Sequence, residues 1–220
     1  MLSRAANRQL FCTLQPGVSM FEIFDRNFIS LIDQLVIEAA RHGASYYPQA
    51  LKPSVWQGLA DEVANDQFTT LTPDPSKTVV EDMEILKIPL GDDNHPLINI
   101  VGGRLRDLVQ PAVKRLCLTQ WKPNEAAAHR YHAGSQALGA HRDFSTDKVL
   151  IAVFTTGGSG DFELLNDDGS LHTRWESNPG GLCLMRAPGL NVDAVDDRPL
   201  HRALPPKSGT RQAVIYRQVQ

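Results

Sequence analysis

The letters HRD at residues 141–143 place a histidine and an aspartate two positions apart, shortly before the apolar run KVLIAVF. An extended chain alternates its faces with a period of two, so His141 and Asp143 point the same way and Arg142 points the other way. An imidazole and a carboxylate aimed at one point can hold a metal ion, or they can form a simple hydrogen-bonded pair. The rest of the sequence has to decide between these interpretations.

A third metal ligand is available further along the chain. Two histidines and one carboxylate form the facial triad typical of non-haem Fe(II) enzymes, which leaves other coordination positions open. His201, in RPLHRALPP, is the candidate for the second histidine, because it lies on a later apolar segment just before a proline-rich turn. Arg211, ten residues further on, can offer a bidentate guanidinium to a carboxylate. The sequence therefore predicts a metal site at His141, Asp143 and His201, with Arg211 as an anion-binding group.

Short segments rich in branched residues alternate with turns from residue 121 onward. Seven such segments are AAAHRYHA, KVLIAVFTT, DFELLND, LHTRWES, GLCLMRA, PLHRAL and RQAVIYRQV. The turns between them include GGSG, SNPGG and PPKSG, and NDDGS between two strands favours a hairpin. Seven short strands at this spacing predict an antiparallel sandwich or barrel.

The first 120 residues are predicted to be mainly helical. The stretch SMFEIFDRNFISLIDQLVIEAARHG ends at a glycine that favours a helix stop, and it has apolar residues at helical spacing: Phe21, Phe24, Phe28, Leu31 and Leu35. SVWQGLADEVAND predicts a second helix with Ser54 as its N-cap, and VVEDMEILKIPLG predicts a strand. PLINIVGGRLRDLVQPAVKRLCL predicts a helix interrupted near Pro111. We expect one α+β domain over residues 1–220, with the helices of residues 1–120 packed on a β-core of residues 121–220.

Composition narrows the class of protein. The chain has 220 residues, of which 42% are hydrophobic and 21% charged, as in ordinary soluble proteins. No apolar run has the length of a membrane span, and the N-terminus does not resemble a secretory signal. Three widely spaced cysteines predict reduced thiols in a cytoplasmic protein: Cys12, Cys117 and Cys183. The net charge of −3 gives no overall attraction to nucleic acid. One local basic cluster is interpreted as a solvated helix face: Arg104, Arg106, Lys114 and Arg115.

The order of these residues is also informative. H-x-D, a long gap, then a histidine with an arginine ten residues later resembles the pattern of the Fe(II)/2-oxoglutarate-dependent oxygenases. The resemblance covers Trp121 to the end of the chain, and it implies a double-stranded β-helix, or jelly roll, which agrees with the predicted strands. It also implies iron on His141, Asp143 and His201, 2-oxoglutarate anchored by Arg211, and dioxygen as the second co-substrate.

A closer similarity exists within this superfamily. RYHAGSQALGAHRD is similar to the N-x-Y-x-x-G…H-x-D segment of the AlkB-type nucleic-acid dealkylases, and RQAVIYR is similar to their R-x-x-x-x-x-R ending. The similarity implies that Tyr131 gives its hydroxyl to the carboxylate held by Arg211, and that Arg217 lies near the co-substrate. His129 would share the face of Tyr131 on a strand, which places it near the co-substrate too. His129 and Ala213 stand where the dealkylases carry asparagine.

The resemblance implies a dioxygenase that hydroxylates a substrate with release of succinate and CO2. Asp143 favours hydroxylation or dealkylation, because the related halogenases carry a small residue in place of this carboxylate. The acidic stretches NDDG and VDAVDDRP fall in predicted loops, where they would repel phosphates, and they favour a small-molecule substrate. Two alternatives stay open: an AlkB-like oxidative demethylase of nucleic acid, and a non-catalytic jelly-roll protein that binds a ligand or senses iron. No membrane partner is expected.

Overall fold

The computed structural model describes residues 19–117, 119–190 and 198–220. Cys12 and most of the VDAVDDRP stretch lie outside the described residues. The helices are α1 (Met20–Ile23), α2 (Arg26–His42), α3 (Pro53–Glu62) and α4 (Pro96–Cys117). The strands are β1 (Ala44–Tyr47), β2 (Thr69–Leu71), β3 (Glu81–Pro89), β4 (Glu125–His132), β5 (Ala137–His141), β6 (Leu150–Gly157), β7 (Gly160–Leu165), β8 (Leu171–Ser177), β9 (Leu182–Arg186), β10 (Leu200–Ala203) and β11 (Thr210–Arg217).

The strands form one antiparallel sheet that folds over on itself. Its order is β1-β9-β6-β11-β4-β3-β5-β10-β7-β8, and β2 pairs with the outer part of β3. β3 makes the turn between the two halves, because Glu84–Pro89 pair with β4 whereas Glu81 and Asp82 pair with β5. Side chains from both halves line one internal pocket. The predicted α+β jelly-roll fold with N-terminal helices is therefore confirmed.

All seven predicted strands of the second half are present, as β4 and β6 to β11, and so is the strand predicted from VVEDMEILKIPLG. NDDGS forms the hairpin turn between β7 and β8, with Gly169 at a φ of 82°. Three strands were not predicted, namely β1, β2 and β5. β5 matters most, because its last residue is His141.

The two faces of β11 serve different parts of the molecule. Val214 and Tyr216 belong to the large core shared with α2, α3 and α4, whereas Ala213 and Ile215 face the interior of the jelly roll. The Tyr216 hydroxyl donates to the carbonyl oxygen of Ile98 in α4, at 3.0 Å. A Cβ at Gly102 would lie 2.8 Å from the Tyr216 ring, so glycine is needed for this close approach. The helices thus cover the outside of the sheet whose inside carries the site.

The first predicted helix is divided into α1 and α2. Asp25 is the N-cap of α2, and its carboxylate accepts from the backbone N–H groups of Asn27 and Phe28 at 2.8 and 3.2 Å. This cap restarts the helix and changes which residues face inward. Phe24, Phe28 and Leu35 are buried, but Phe21 and Leu31 are exposed, so the prediction that all five form one apolar face is wrong.

Two further details of the helix predictions are wrong. α3 begins at Pro53 with Lys52 as its N-cap, so Ser54 lies inside the helix and does not cap it. α4 continues through Pro111 to Cys117, without the predicted interruption. The buried face of α4 on both sides of Pro111, including Val109 and Val113, holds the helix against the core despite the missing N–H.

The basic cluster lies on the outside of α4, and three of its four residues have a carboxylate partner. Arg104 and Arg106 pair with Asp107, and Arg115 pairs with Asp33 of α2 at 2.6 Å.

None of the helices in the described part of the chain is long and apolar enough to cross a membrane.

A buried histidine joins α4 to the segment after α3. The two ring nitrogens of His95 lie 3.2 Å from Asp92 Oδ2 and 2.9 Å from Asp66 Oδ2. Glu62 accepts from the first backbone N–H groups of α4 beside it. Burial by itself would lower the pKa of His95, but the hydrogen bonds to Asp66 and Asp92 outweigh it and raise the pKa above its usual value.

We predict a pH-dependent contribution of His95 to stability. Because its pKa is raised by folding, the stabilisation is complete below the unfolded pKa of about 6.5 and is lost as the pH rises through the folded pKa. The free energy of unfolding in urea should be higher for wild type than for His95→Gln, and this difference should be largest at about pH 6 and smallest at about pH 9. The exposed His172→Gln should show no such trend. An advantage of wild type that grew with pH would contradict the prediction.

Candidate metal centre

The two histidines of the predicted triad face each other across neighbouring strands. His141 ends β5, His201 is in β10, and the two are direct partners in the antiparallel pairing. Residues opposite one another in such a pair have their side chains on the same face. The ring centres accordingly lie 4.2 Å apart, and the Phe162 ring of β7 stacks on His201 at 5.3 Å.

Asp143 completes the group from the loop after β5. Its Oδ1 lies 3.9 Å from His141 Nε2, and its Oδ2 lies 3.6 Å from His201 Nε2. One possible ligand atom from each of the three residues lies within 4.8 Å of the others. These spacings bring one carboxylate and two imidazoles to a common point.

The protonation of the three groups fits a divalent metal. Nδ1 of His141 lies 2.8 Å from the carbonyl oxygen of Gly139, and Nδ1 of His201 lies 3.0 Å from that of Pro199, so each Nδ1 donates to a carbonyl oxygen and each Nε2 is directed toward Asp143. Burial and the adjacent His201 lower the pKa of His141 to about 4, which keeps the ring neutral. Buried Asp143 Oδ2 has no hydrogen-bond partner among the described residues. A metal ion requires deprotonated ligand atoms, and the neutral ring of His141 and the unsatisfied carboxylate oxygen of Asp143 meet this requirement.

The charge of Asp143 is maintained inside the protein. Burial by itself would raise the pKa of Asp143, but His201 and Arg217 outweigh it and hold the pKa below its usual value. A nearby carboxyl behaves differently, because burial raises the pKa of Asp147 to about 6 even though Arg217 opposes this. The sequence analysis missed Asp147, whose burial four residues after Asp143 has no local signal.

Arg211 lies in the same pocket without a carboxylate partner. It is 2% exposed, and its Nε and Nη1 atoms have no hydrogen-bond partner among the described residues. Its Cζ lies 5.3 Å from the centre of the Tyr131 ring. A buried guanidinium with unpaired N–H groups is costly, so this arrangement fits an anionic ligand that supplies the missing acceptors.

His129 and Tyr131 form a pair beside Arg211. Both are buried residues of β4, and His129 Nδ1 lies 3.0 Å from the Tyr131 hydroxyl. Burial and the charge of Arg217 lower the pKa of His129 to about 3, so this ring is neutral. Its Nε2 atom is buried and has no hydrogen-bond partner among the described residues. The pair can therefore offer polar atoms to a ligand without adding charge.

The structure brings all seven predicted site residues into one pocket: His129, Tyr131, His141, Asp143, His201, Arg211 and Arg217. His132, in contrast, is exposed, and its Nδ1 lies 3.0 Å from Thr210 Oγ1. The sequence analysis did not identify the apolar walls of the pocket: Leu138, Ile151, Val153, Phe162, Met185, Ala203 and Ile215. Strand alternation could have placed several of them on an inner face, but not around this pocket.

Comparisons with known proteins agree with this architecture. The sequence matches no protein-family model and no curated protein. A prolyl-4-hydroxylase from Pseudomonas putida has a similar structure, with a TM-score of 0.66 and 18% identity over 86% of this chain and 100% of the other. A Trichoplax adhaerens prolyl hydroxylase, in complex with a hypoxia inducible factor peptide fragment, has a TM-score of 0.65 and 13% identity, over 87% of this chain and 90% of the other. A 2OG-Fe(II) oxygenase family oxidoreductase from Burkholderia pseudomallei has a TM-score of 0.60 and 11% identity, over 84% of this chain and 89% of the other.

The fold is that of the 2OG-Fe(II) oxygenases. The resemblance to this superfamily that the motifs predicted is thus confirmed at the level of the fold. The narrower similarity to AlkB-type dealkylases is not tested by these structures and stays a prediction.

Within this oxygenase fold, Asp143→Ala is expected to remove most metal affinity, because it leaves only two neutral imidazoles. Binding of Fe(II) under anaerobic conditions should weaken by more than about 100-fold, which is more than the loss of a group that only hydrogen-bonds to a metal ligand would cause. Asp33→Ala, which removes an exposed carboxylate of α2, is the control and should bind as wild type does. Retained binding in Asp143→Ala would show that the triad is not the metal site.

Arg211→Met is expected to weaken binding of 2-oxoglutarate by about 2–5 kcal/mol, because a buried carboxylate would lose its bidentate partner. The unfolding midpoint of the ligand-free protein should stay the same or rise, since an unpaired buried charge is removed. Arg217→Met should affect 2-oxoglutarate binding less. Calorimetric titration of the metal-loaded variants with 2-oxoglutarate measures the two affinities. A larger loss of affinity in Arg217→Met than in Arg211→Met would make Arg217 the anchor.

Proposed function

We propose that this protein is an Fe(II)- and 2-oxoglutarate-dependent dioxygenase that hydroxylates a small-molecule substrate. The observation that carries the proposal is the coexistence, in one pocket of this fold, of the His141–Asp143–His201 group and the unpaired buried Arg211. The first fits a divalent metal and the second fits a carboxylate. A co-substrate that combines a metal-chelating end with a distal carboxylate uses both.

The proposed roles follow from the positions of the residues. His141, Asp143 and His201 would hold the iron. When bound, Fe(II) supplies the redox chemistry that couples O2 and 2-oxoglutarate to a substrate C–H bond, giving succinate, CO2 and a hydroxylated product. Because the protein gives three ligands, coordination positions remain for co-substrates.

Arg211 would anchor the distal carboxylate of 2-oxoglutarate, and the Tyr131 hydroxyl would donate a further hydrogen bond to it. His129 would hold the Tyr131 hydroxyl in place through the 3.0 Å contact at Nδ1. Arg217 lines the same pocket as Asp143 and lowers its pKa, so we assign Arg217 to the metal end of the co-substrate. The apolar walls between the two ends exclude water from the bound co-substrate.

Acidic residues in the turn between β7 and β8 support a small-molecule substrate over nucleic acid. The turn between β7 and β8 carries Asp167 and Asp168, and Asp167 already pairs with Arg142 at 2.8 Å. Carboxylates in this position would repel a phosphate backbone. Phe144, which follows Asp143 directly, is 71% exposed and offers an apolar contact to the substrate.

A second candidate substrate is a prolyl residue of a peptide. Two of the similar solved structures are prolyl hydroxylases, and one was determined with a peptide fragment bound. The chemistry at the metal would be the same, and only the group presented to it would differ.

The test is release of succinate by purified protein supplied with Fe(II), 2-oxoglutarate and O2. We expect slow release without substrate, abolished in Asp143→Ala, which a non-catalytic binding protein would not show. A panel of free amino acids and other small metabolites, proline-containing peptides and methylated single-stranded oligonucleotides should then be compared. Stimulation by a small metabolite supports the proposal, and stimulation by peptides supports the second candidate. Stimulation by oligonucleotides that falls steeply with salt would overturn both in favour of a demethylase.

A further inference from the structure

Asp143 is the member of the triad that no strand holds. The pairing of β5 with β10 fixes His141 opposite His201, but β5 ends at His141. If the antiparallel pairing continued, the next ladder position on this side would place Pro199 opposite Asp143. Proline has no N–H, so from this side the ladder would supply no backbone donor to the Asp143 carbonyl oxygen.

Two arginine side chains replace the missing backbone contacts. Nη1 of Arg198 donates to the carbonyl oxygen of Asp143 at 2.9 Å. In the opposite direction, Nη1 of Arg142 donates to the carbonyl oxygen of Arg198. Each arginine thus binds the main chain of the segment that carries the other, and we refer to Arg142 and Arg198 together as the arginine clasp. The clasp joins the H-x-D segment to the residues that precede His201.

The outer end of the clasp is also fixed. Nη2 of Arg142 donates to Asp167 Oδ1 at 2.8 Å, in the turn between β7 and β8. Arg142 therefore bridges two segments, and its side chain does not line the pocket of the metal centre. A guanidinium can do this because it presents several N–H groups in a rigid plane, whereas a lysine presents one flexible ammonium group.

We propose that Arg142 and Arg198 are positioning residues for the metal centre. By fixing the main chain of Asp143, they aim its carboxylate at the Nε2 atoms of His141 and His201 before a metal arrives. This inference rests on the metal centre of the proposed function. Outer contacts that orient metal ligands typically change metal affinity by about 10–100-fold, and we expect an effect in this range.

The test is titration of the full chain with Co(II), followed by its visible absorption, which reports both affinity and ligand geometry. Arg198→Ala and Arg142→Ala should each weaken Co(II) binding by about 10-fold or more and alter the spectrum of the bound metal. If the two act as one unit, the double variant should lose little more than either single variant. Arg198→Lys should recover part of the affinity, because it can still donate one hydrogen bond to Asp143.

Two references make the outcome decisive. Arg104→Ala removes a surface arginine of α4 and should bind Co(II) as wild type does. Asp143→Ala tests the metal centre itself. Normal Co(II) binding in both clasp variants, with binding lost in Asp143→Ala, would overturn the clasp and leave the proposed function intact. Normal binding in Asp143→Ala would overturn the metal centre and the clasp together. Thermal unfolding of the metal-free variants is measured alongside, and a loss of affinity explained by a smaller folded fraction would also overturn the clasp.

Discussion

The antiparallel pairing of β5 with β10 is the constraint on which the rest of the site depends. It sets His141 directly opposite His201, with both rings on the inner face of the jelly roll. A shift by one residue would turn one ring outward, because side chains alternate along a strand. The same shift would expose apolar residues on the neighbouring strand β7, such as Phe162 and Leu164, if it spread through the sheet. Burial of the inner face therefore maintains the register, and the register in turn positions the ligands.

The pocket keeps charge inside the protein only where a ligand can compensate it. Nε and Nη1 of buried Arg211 have no hydrogen-bond partner among the described residues, whereas the rings of His129 and His141 have strongly lowered pKa values and stay neutral. Asp143 stays charged because His201 and Arg217 outweigh the effect of its burial, whereas burial raises the pKa of Asp147 to about 6. A pocket of this kind favours a metal at one end and an anion at the other. It is stable without them only because the helix-covered face of the sheet supplies a large apolar core.

Much of the fold could be predicted because its signals are local. Branched runs separated by glycine and proline turns marked β4 and β6 to β11. β5 was missed because ALGAH has few strand-forming residues and becomes a strand through its partners β3 and β10. The single helix predicted before Gly43 was divided because the Asp25 cap outweighed a continuous apolar period. Pro111 was tolerated because packing on both sides of it holds α4 together.

For the candidate site, the sequence by itself determined which residue types were present and which of them shared a strand face. His141 and Asp143 point the same way, and Arg142 the other, simply because an extended backbone alternates. Only the tertiary structure decided that His201 lies opposite His141, that Arg211 Nε and Nη1 lack a hydrogen-bond partner among the described residues, and that Arg198 reaches the Asp143 carbonyl from 55 residues away. These facts depend on strand pairing and burial between segments far apart in the chain. A local pattern carries no information about such distances, so the folded structure was needed to bring the residues together.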